Sequence, residues 1–227
     1  MTRIIMIRHG QSEANAQSRF AGHSDFDLSE LGRQQAELAA KYLYGKEQLD
    51  AIYASDLLRA HNTAVPFSAL YGLPINDREG LRELFAGDWE GLTTEEIKQR
   101  YTEDFRIWRE DFSNARCSGG ESVAEMYERM IPEVLYLARE NEGKCILLAT
   151  HATPIRVIEA FSRGLSADRV HEVPFVRNSA MNIFEYDGNT LRPVKTNITE
   201  HLDDSLIVRT LFLCVAGNVL AQLLLVG

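Results

Sequence analysis

The sequence has only three cysteines among its 227 residues, Cys117, Cys145 and Cys214. They are odd in number and widely spaced, and no pair has the spacing of a metal-binding or redox motif. We therefore expect reduced thiols in a cytoplasmic protein. A strand is predicted to begin within the first few residues, which leaves no room for a cleaved signal before the fold starts.

The chain also lacks basic character, since 24 lysines and arginines stand against 33 aspartates and glutamates, with a net charge of −9. Proteins that bind nucleic acids usually carry a basic surface, so this balance argues against a nucleic-acid partner. A small anionic substrate would need a local group of arginines. No repeat or low-complexity tract suggests a second domain, and 45% hydrophobic residues are ample for one core.

Short apolar runs alternate with helical patterns along the chain. Strands are predicted at 4–7, 51–54, 145–149, 180–186 and 191–194. A helix is predicted over 30–44, between the N-cap Ser29 and the stop residue Gly45. A second long helix follows Ser122 and Glu125, which form a capping-box pattern. This alternation predicts an α/β fold with a mostly parallel central sheet.

Polar residues suited to phosphate chemistry follow three of these strands. Arg8-His9-Gly10 follows the first, the segment 55–59 follows the second, and His151 follows the strand 145–149. Because the carboxyl ends of parallel strands meet at one edge of a sheet, these residues are predicted to lie together. Arg59 is expected in the first turn of a helix, and Pro154 at the first position of another. Arginines, histidines and helix N-termini together predict an anion pocket.

A series of further blocks extends the first motif along most of the chain. In order they are Arg8-His9-Gly10 with Ser12 and Asn15, residues 19–22 with 28–36, residues 53–60, Leu81-Arg82-Glu83-Leu84 with residues 87–91, Gly119-Gly120-Glu121-Ser122, and Thr150-His151-Ala152. This series resembles the histidine phosphatase superfamily, which includes the cofactor-dependent phosphoglycerate mutases. The resemblance implies a three-layer αβα sandwich of the phosphoglycerate mutase-like kind, with helices on both faces of the sheet. We expect a single domain over 1–204 with a lid insertion at about 86–121.

The resemblance also implies roles for individual residues. His9 would attack the phosphoryl group and form a phosphohistidine, while Arg8, Arg59 and His151 stabilise the charge on its oxygens. Glu83 would protonate the leaving oxygen and then accept a proton from water, and burial beside Leu81, Leu84, Phe85 or Trp89 would favour its protonated form. Further phosphate contacts are expected from Ser12, Asn15, the Gly22 amide and Ala152. This chemistry requires no metal ion and no other cofactor. Specificity is expected to depend on side chains of the lid and on side chains near Phe20, His23, Arg82 and Arg177.

Hydrolysis and phosphoryl transfer to a second hydroxyl are both compatible with these residues. A mutase needs a longer, more basic insertion that holds a carboxylated phospho-acid and excludes water. Here the segment 87–92 looks more like the phosphatase branch, and the block after His151 lacks the His-Gly-Asn pattern of mutases. Arg106, Arg109 and Arg116 keep the mutase open, although helix charges that balance neighbouring acids are the simpler interpretation. We favour a phosphomonoesterase acting on a small phosphorylated metabolite over a mutase, and place an inactive phospho-ligand-binding module last.

The apolar C-terminal extension, residues 205–227, matches no block of the family. Its length approaches that of a membrane span, but Arg209, Asn218 and Gln222 interrupt it and no basic cluster flanks it. Packing against the core or against a partner subunit explains it equally well, so the membrane interpretation is the weaker one. The sequence is compatible with a homodimer and with a monomer.

Overall fold

Strands and helices alternate through the part of the chain that the computed structural model describes, residues 1–203 and Leu206. In chain order they are β1 Thr2–Arg8, α1 Glu13–Ala16, α2 Glu30–Tyr44, β2 Ala51–Ala54, α3 Leu58–Tyr71, β3 Ile75–Asp77, α4 Thr94–Arg100, α5 Thr102–Glu110, α6 Val123–Glu140, β4 Cys145–Thr150, α7 Ala152–Ser162, β5 Met181–Tyr186 and β6 Leu191–Ile198. Short 3₁₀ helices occur at Glu79–Leu81, Gly87–Trp89, Phe112–Asn114 and Ala167–Glu172.

The strands form one sheet in the order β3-β2-β4-β1-β5-β6. β3, β2, β4 and β1 are parallel, whereas β5 and β6 add an antiparallel hairpin beside β1. In the middle of β1, Ile4 pairs with Ile146 of β4 and Phe184 of β5. The prediction of a mostly parallel central sheet is confirmed.

Helices cover both faces of this sheet. Ile4 and Met6 of β1 pack in one cluster with buried residues of α6 and α7, whereas Ile5 and Ile7 pack in a second cluster with α2 and α3. Successive side chains of a strand point to opposite faces, so a strand covered on both sides reads as a continuous apolar run. The predicted three-layer αβα sandwich is therefore confirmed.

The predicted helix boundaries agree with the structure where capping signals mark them. The Ser29 hydroxyl accepts the Gly32 amide at the start of α2, and Gly45 follows its last residue. Ser122 and Glu125 form the expected capping box at the start of α6. Each signal is local in the chain, which is why it can be read without the tertiary structure.

Three details differ from the expectations. β3 was missed because it is a three-residue edge strand with two exposed residues and therefore a weak apolar pattern. β6 continues to Ile198, since pairing with β5 extends it through largely exposed residues. Pro154 is the third residue of α7 and not the first, because His151 has the extended backbone of the N-cap and the helix begins at Ala152.

The segment 86–121 contains α4, α5 and two of the 3₁₀ helices. Its inner side is aromatic, with the Trp89 ring 5.4 Å from Phe20 and 5.7 Å from Trp108 between centroids. The limits of the domain and the role of the insertion as a lid stay predictions. The predicted C-terminal extension, 205–227, lies outside the described residues apart from Leu206. The Leu206 carbonyl accepts a hydrogen bond from Gln35 Nε2 at 2.7 Å. No helix within the described ranges is long and apolar enough to cross a membrane.

Candidate active site

Three neighbouring strands bring the predicted residues to one edge of the sheet. β2, β4 and β1 lie side by side and end at Ala54, Thr150 and Arg8. The cleft at this edge is lined by Arg8, His9, Asn15, Arg19, Phe20, Ala21, Gly22, Arg59, Glu83, Leu84, Trp108, Phe112, Ala152, Thr153, Arg156 and Phe175. His151 does not line the cleft itself, and its ring centroid lies 5.1 Å from that of His9.

His9 is held in the tautomer that suits nucleophilic attack. Its Nδ1 lies 2.7 Å from the Gly10 carbonyl oxygen, which can only accept, so Nδ1 carries the proton and Nε2 keeps its lone pair. The His9 carbonyl accepts a hydrogen bond from Asn178 Nδ2 at 3.1 Å. Burial, together with the charges of Arg59 and Arg8, holds the pKa of His9 well below its usual value. The imidazole is therefore neutral and nucleophilic at physiological pH.

Gly10 follows the nucleophile where the chain has no room for a side chain. A Cβ on Gly10 would lie 2.3 Å from the carbonyl oxygen of Gly32 in α2. The Gly10 amide donates to Thr63 Oγ1 at 3.1 Å, and this hydroxyl donates to the Arg59 carbonyl at 2.7 Å. The loop after β1 is thus attached to both α2 and α3, and this close approach requires glycine.

Arg59 lies fully buried in the first turn of α3, as predicted. It donates to the carbonyl oxygens of Gly22 at 2.7 Å and Ser24 at 3.0 Å, which fixes the loop that borders the cleft. Gly22 has a left-handed φ of +51°, and a Cβ there would lie 2.5 Å from Glu90 Oε1. Burial lowers the pKa of Arg59 to about 10, so the guanidinium is still charged at neutral pH.

Two further arginines bind the backbone of the segment before β5, which forms the opposite wall of the cleft. Arg8 donates to the Val176 carbonyl at 2.8 Å and lies over the Phe175 ring, 4.9 Å from its centroid. Arg156 of α7 donates to the Val173 carbonyl at 3.1 Å. The segment before β5 is therefore held against the cleft by guanidinium groups, which also supply positive charge for an anionic ligand.

His151 is fully buried and precedes α7 as its N-cap residue. Its Nε2 lies 2.9 Å from Ser55 Oγ, whereas its Nδ1 has no hydrogen-bond partner among the residues described. Burial and the Arg59 charge hold its pKa well below the usual value. Because an unpaired buried polar atom costs free energy, Nδ1 is suited to contact a ligand oxygen.

Glu83 enters the cleft beside the N-terminus of α7. Its Oε1 accepts the Leu84 amide at 2.9 Å, and its Oε2 accepts the Thr153 amide at 3.5 Å. The Glu83 side chain is half-buried, with the buried Leu84 and the 41% exposed Phe85 following it in the chain. The role of Glu83 as general acid stays a prediction.

Ser12 and Asn15, predicted together as phosphate ligands, occupy different positions. They form the capping box of α1, in which Ser12 Oγ accepts the Asn15 amide. Ser12 is fully buried and does not line the cleft, which favours a capping role. Asn15 lines the cleft, and its Oδ1 accepts from Asn178 Nδ2 at 3.1 Å, so its own amide nitrogen is the group that can donate to a ligand. Ala152 also lines the cleft, as the first residue of α7.

The insertion contributes aromatic side chains to the cleft, namely Trp108 and Phe112. The basic residues that kept a mutase open lie elsewhere. Arg106 forms ion pairs with acids of its own helix, and Arg116 pairs with Glu125 of α6. Arg109 does not line the cleft either. The interpretation of Arg106 and Arg116 as balanced surface charges agrees with these contacts.

Several residues of the site had no individual signal in the sequence, although the lid and the neighbourhood of Arg177 were expected to shape specificity. Phe175 and Asn178 come from an irregular segment before β5, and Trp108 and Phe112 come from the insertion. Of the residues expected to shape specificity, Phe20 lines the cleft, whereas His23, Arg82 and Arg177 do not. Packing between distant segments, which no local motif marks, places these residues.

Metal and thiol chemistry have no obvious site in this region. No group of three His, Cys, Asp or Glu side chains within the described ranges could hold a metal ion. Cys117 and Cys145 are free thiols whose pKa values are raised by burial, so neither is a thiolate near neutral pH. Cys214 lies outside the described residues.

An α/β fold with two histidines and several arginines at the carboxyl ends of parallel strands is typical of enzymes that act on anionic substrates, and comparison with known proteins identifies the family. Residues 4–199 match the histidine phosphatase superfamily (branch 1), and the chain belongs to that superfamily. It is 30% identical over 204 residues to Phosphoserine phosphatase 1 of Hydrogenobacter thermophilus, covering 90% of this chain and 96% of that protein. It is 44% identical over 166 residues to glucosyl-3-phosphoglycerate phosphatase of Mycobacterium tuberculosis, covering 70% of this chain and 74% of that protein. Among solved structures, Bacillus stearothermophilus YhfR has a TM-score of 0.83 at 31% identity, covering 88% of this chain and 99% of that one.

Proposed function

We propose that this protein hydrolyses a small phosphomonoester, without a metal ion, through a phosphohistidine on His9. The observation that carries the proposal is the state of His9. Burial and the nearby charges of the buried Arg59 and Arg8 hold the pKa of His9 well below its usual value, so the imidazole is neutral, and its Nδ1 proton is donated to the Gly10 carbonyl. A neutral nucleophile beside fixed positive charge is what phosphoryl transfer requires.

In the first step, His9 Nε2 attacks phosphorus as the ester P–O bond breaks and a P–N bond forms. Glu83, in its protonated form, gives its proton to the leaving oxygen, so the product leaves as an alcohol. Arg8, Arg59 and a donor from His151 stabilise the negative charge that is spread over the three remaining oxygens. The α7 N-terminus adds backbone donors at the same side.

In the second step, water attacks the phosphohistidine. Glu83, now a carboxylate, takes a proton from this water as the P–N bond breaks and inorganic phosphate forms. His9 returns to its neutral form and Glu83 is protonated again, so the cycle closes without a further reagent.

The remainder of the substrate would lie against Phe20, Trp108, Phe112 and Phe175, with Arg19 and Arg156 at the same cleft. Phosphoserine and glucosyl-3-phosphoglycerate, which appear in the names of the relatives, both carry a carboxylate that an arginine can bind. We therefore propose carboxylated phosphomonoesters as the first substrates to test. A mutase has less support, because the insertion brings no basic side chain to the cleft. A cytoplasmic location and a homodimer remain predictions.

The test is release of inorganic phosphate from a panel of phosphomonoesters in the presence of EDTA, with wild type and His9→Ala. We expect release by the wild type, loss in the variant, and an acid-labile phosphoryl group on the wild type alone. His61→Ala is the matched control, because His61 of α3 does not line the cleft and contacts Asp77 of β3. Activity that survives in His9→Ala, or that EDTA abolishes, would contradict the proposal. Isomerisation of 3-phosphoglycerate with added bisphosphoglycerate would instead favour the mutase.

A further inference from the structure

An ion pair outside the cleft holds the loop that carries Glu83. Arg129 of α6 binds the Glu121 carboxylate through two bonds, Nε to Oε1 at 2.8 Å and Nη2 to Oε2 at 2.9 Å. Neither residue lines the cleft. Glu121 belongs to the Gly119-Gly120-Glu121-Ser122 block, to which the mechanism above assigns no role.

The same guanidinium binds the backbone of the Glu83 loop. Arg129 Nη1 donates to the Gly80 carbonyl at 3.0 Å and lies 3.4 Å from the Arg82 carbonyl, and Nη2 lies 3.4 Å from the Glu83 carbonyl. From the other side, His23 Nε2 donates to that Glu83 carbonyl at 2.8 Å. The backbone of Glu83 is therefore held between two side chains of different elements.

Glu121 fixes the loop just beyond Glu83. Its amide donates to the Phe85 carbonyl at 2.8 Å, and its Oε2 lies 3.3 Å from the Phe85 amide. A Cβ on Gly120 would lie 2.4 Å from the Phe85 carbonyl oxygen, so glycine is needed for the two segments to approach. The block thus provides both the close contact and the carboxylate that orients Arg129.

The carboxyl group of Glu83 itself has weak support. Its bond to the Leu84 amide lies within its own loop, and its bond to the Thr153 amide is long, at 3.5 Å. Its position therefore depends on how the backbone is held. A general acid must come within hydrogen-bond distance of the leaving oxygen, and a displacement of about 1 Å can cost roughly a hundredfold in rate.

We propose that Arg129 and Glu121 form a positioning pair that sets Glu83 at proton-transfer distance from the leaving oxygen. The inference rests on the proposed function, in which Glu83 is the general acid. It makes a prediction that a purely structural ion pair does not make. Loss of the pair should slow substrates that need a proton on the leaving group and spare those that do not.

The test compares kcat/KM of the full-length chain for an alkyl phosphate, 3-phosphoglycerate, and for para-nitrophenyl phosphate. The nitrophenolate leaves without a proton, and kcat/KM reports transfer to His9 and not the later hydrolysis. For Arg129→Met we expect a loss of about 10- to 100-fold on 3-phosphoglycerate, a part of what a general acid supplies, and less than about threefold on the aryl ester. Glu121→Gln should also lose more kcat/KM on 3-phosphoglycerate than on the aryl ester, but the loss should be smaller than in Arg129→Met. Arg129→Lys should keep a larger part of the kcat/KM on 3-phosphoglycerate than Arg129→Met.

Arg78→Met is the matched control, because Arg78 also joins α6 to a nearby loop, through Glu133 at 2.7 Å, without touching the Glu83 backbone. Arg78→Met should change kcat/KM only slightly, and by the same factor for both substrates. Glu83→Gln serves as the reference. If Glu83→Gln is not selective for the leaving group, the general-acid assignment fails. The positioning pair is refuted if Glu83→Gln loses kcat/KM mainly on 3-phosphoglycerate, whereas Arg129→Met loses it equally on both substrates or on neither. Glu121→Gln decides in the same way if Arg129→Met does not fold.

Discussion

Gly10→Ala should disable the enzyme by displacing His9. The new Cβ would lie 2.3 Å from the Gly32 carbonyl oxygen, and the obstacle is backbone, which cannot rotate away. Relief needs a movement of roughly 1 Å in the loop that carries the nucleophile, for which about a hundredfold loss of kcat/KM is expected. The strain in a packed contact should also lower the free energy of unfolding by about 1–3 kcal/mol. For a chain of this size each kcal/mol lowers Tm by about 2–4 °C.

The measurement is kcat/KM on the preferred phosphomonoester, with thermal unfolding of the same preparations. Gly45→Ala is the control, since Gly45 follows α2 and a Cβ there meets nothing within 4 Å. It should leave activity unchanged and stability within about 0.5 kcal/mol. If Gly10→Ala keeps wild-type kcat/KM, the loop is not held by this contact and the reasoning is wrong.

Three further predictions concern pH, substrate binding and the core. Burial lowers the pKa values of His9 and His151 below 6.5 in the folded state, so the unfolded chain binds more protons below that pH. The free energy of unfolding should therefore fall as the pH is lowered from about 7 to about 5. Urea titrations of a His9→Asn, His151→Asn double variant should show a smaller fall than those of the wild type, and an equal fall in both proteins would contradict this reasoning. Trp108 lines the cleft, where we propose that the non-reacting part of the substrate lies. Trp108→Ala should therefore raise KM about tenfold with little change in kcat, and a loss confined to kcat would refute this placement. Phe67 is fully buried between α3 and the sheet. Phe67→Ala should therefore lower the free energy of unfolding, measured in urea, by about 3–5 kcal/mol, and a loss below about 1 kcal/mol would be inconsistent with that packing.

The place at which the candidate site residues meet could be predicted because it depends on strand ends. His9, Arg59 and His151 each follow an apolar run, and parallel strands bring their carboxyl ends to one edge. The prediction did not require the strand order, but in the observed order β2-β4-β1 the three strands that these residues follow are immediate neighbours. By contrast, the neutral state of His9 depends on burial and on the charges around it, which the linear motif does not contain.

Residues in irregular segments were not predictable in the same way. Asn178 binds both the His9 carbonyl and Asn15, yet nothing near it in the chain indicates this. Ser12 shows the opposite case, because it belongs to the motif and its hydroxyl nevertheless caps α1. Motif membership therefore identified the region of the site better than the contacts of each side chain.

The fold class and the helix caps at Ser29 and Ser122 could be predicted because periodicity and capping are local relations between residues a few positions apart. Strand-end position indicated that His9, Arg59 and His151 lie at one edge of the sheet, whereas the roles of these residues and of Glu83 were implied by the resemblance to the family. The tautomer of His9, the aromatic wall of the cleft and the contact of Arg129 with the Glu83 loop are visible only in the folded structure. These depend on side chains from distant segments meeting at set distances, and that packing is a property of the whole folded chain.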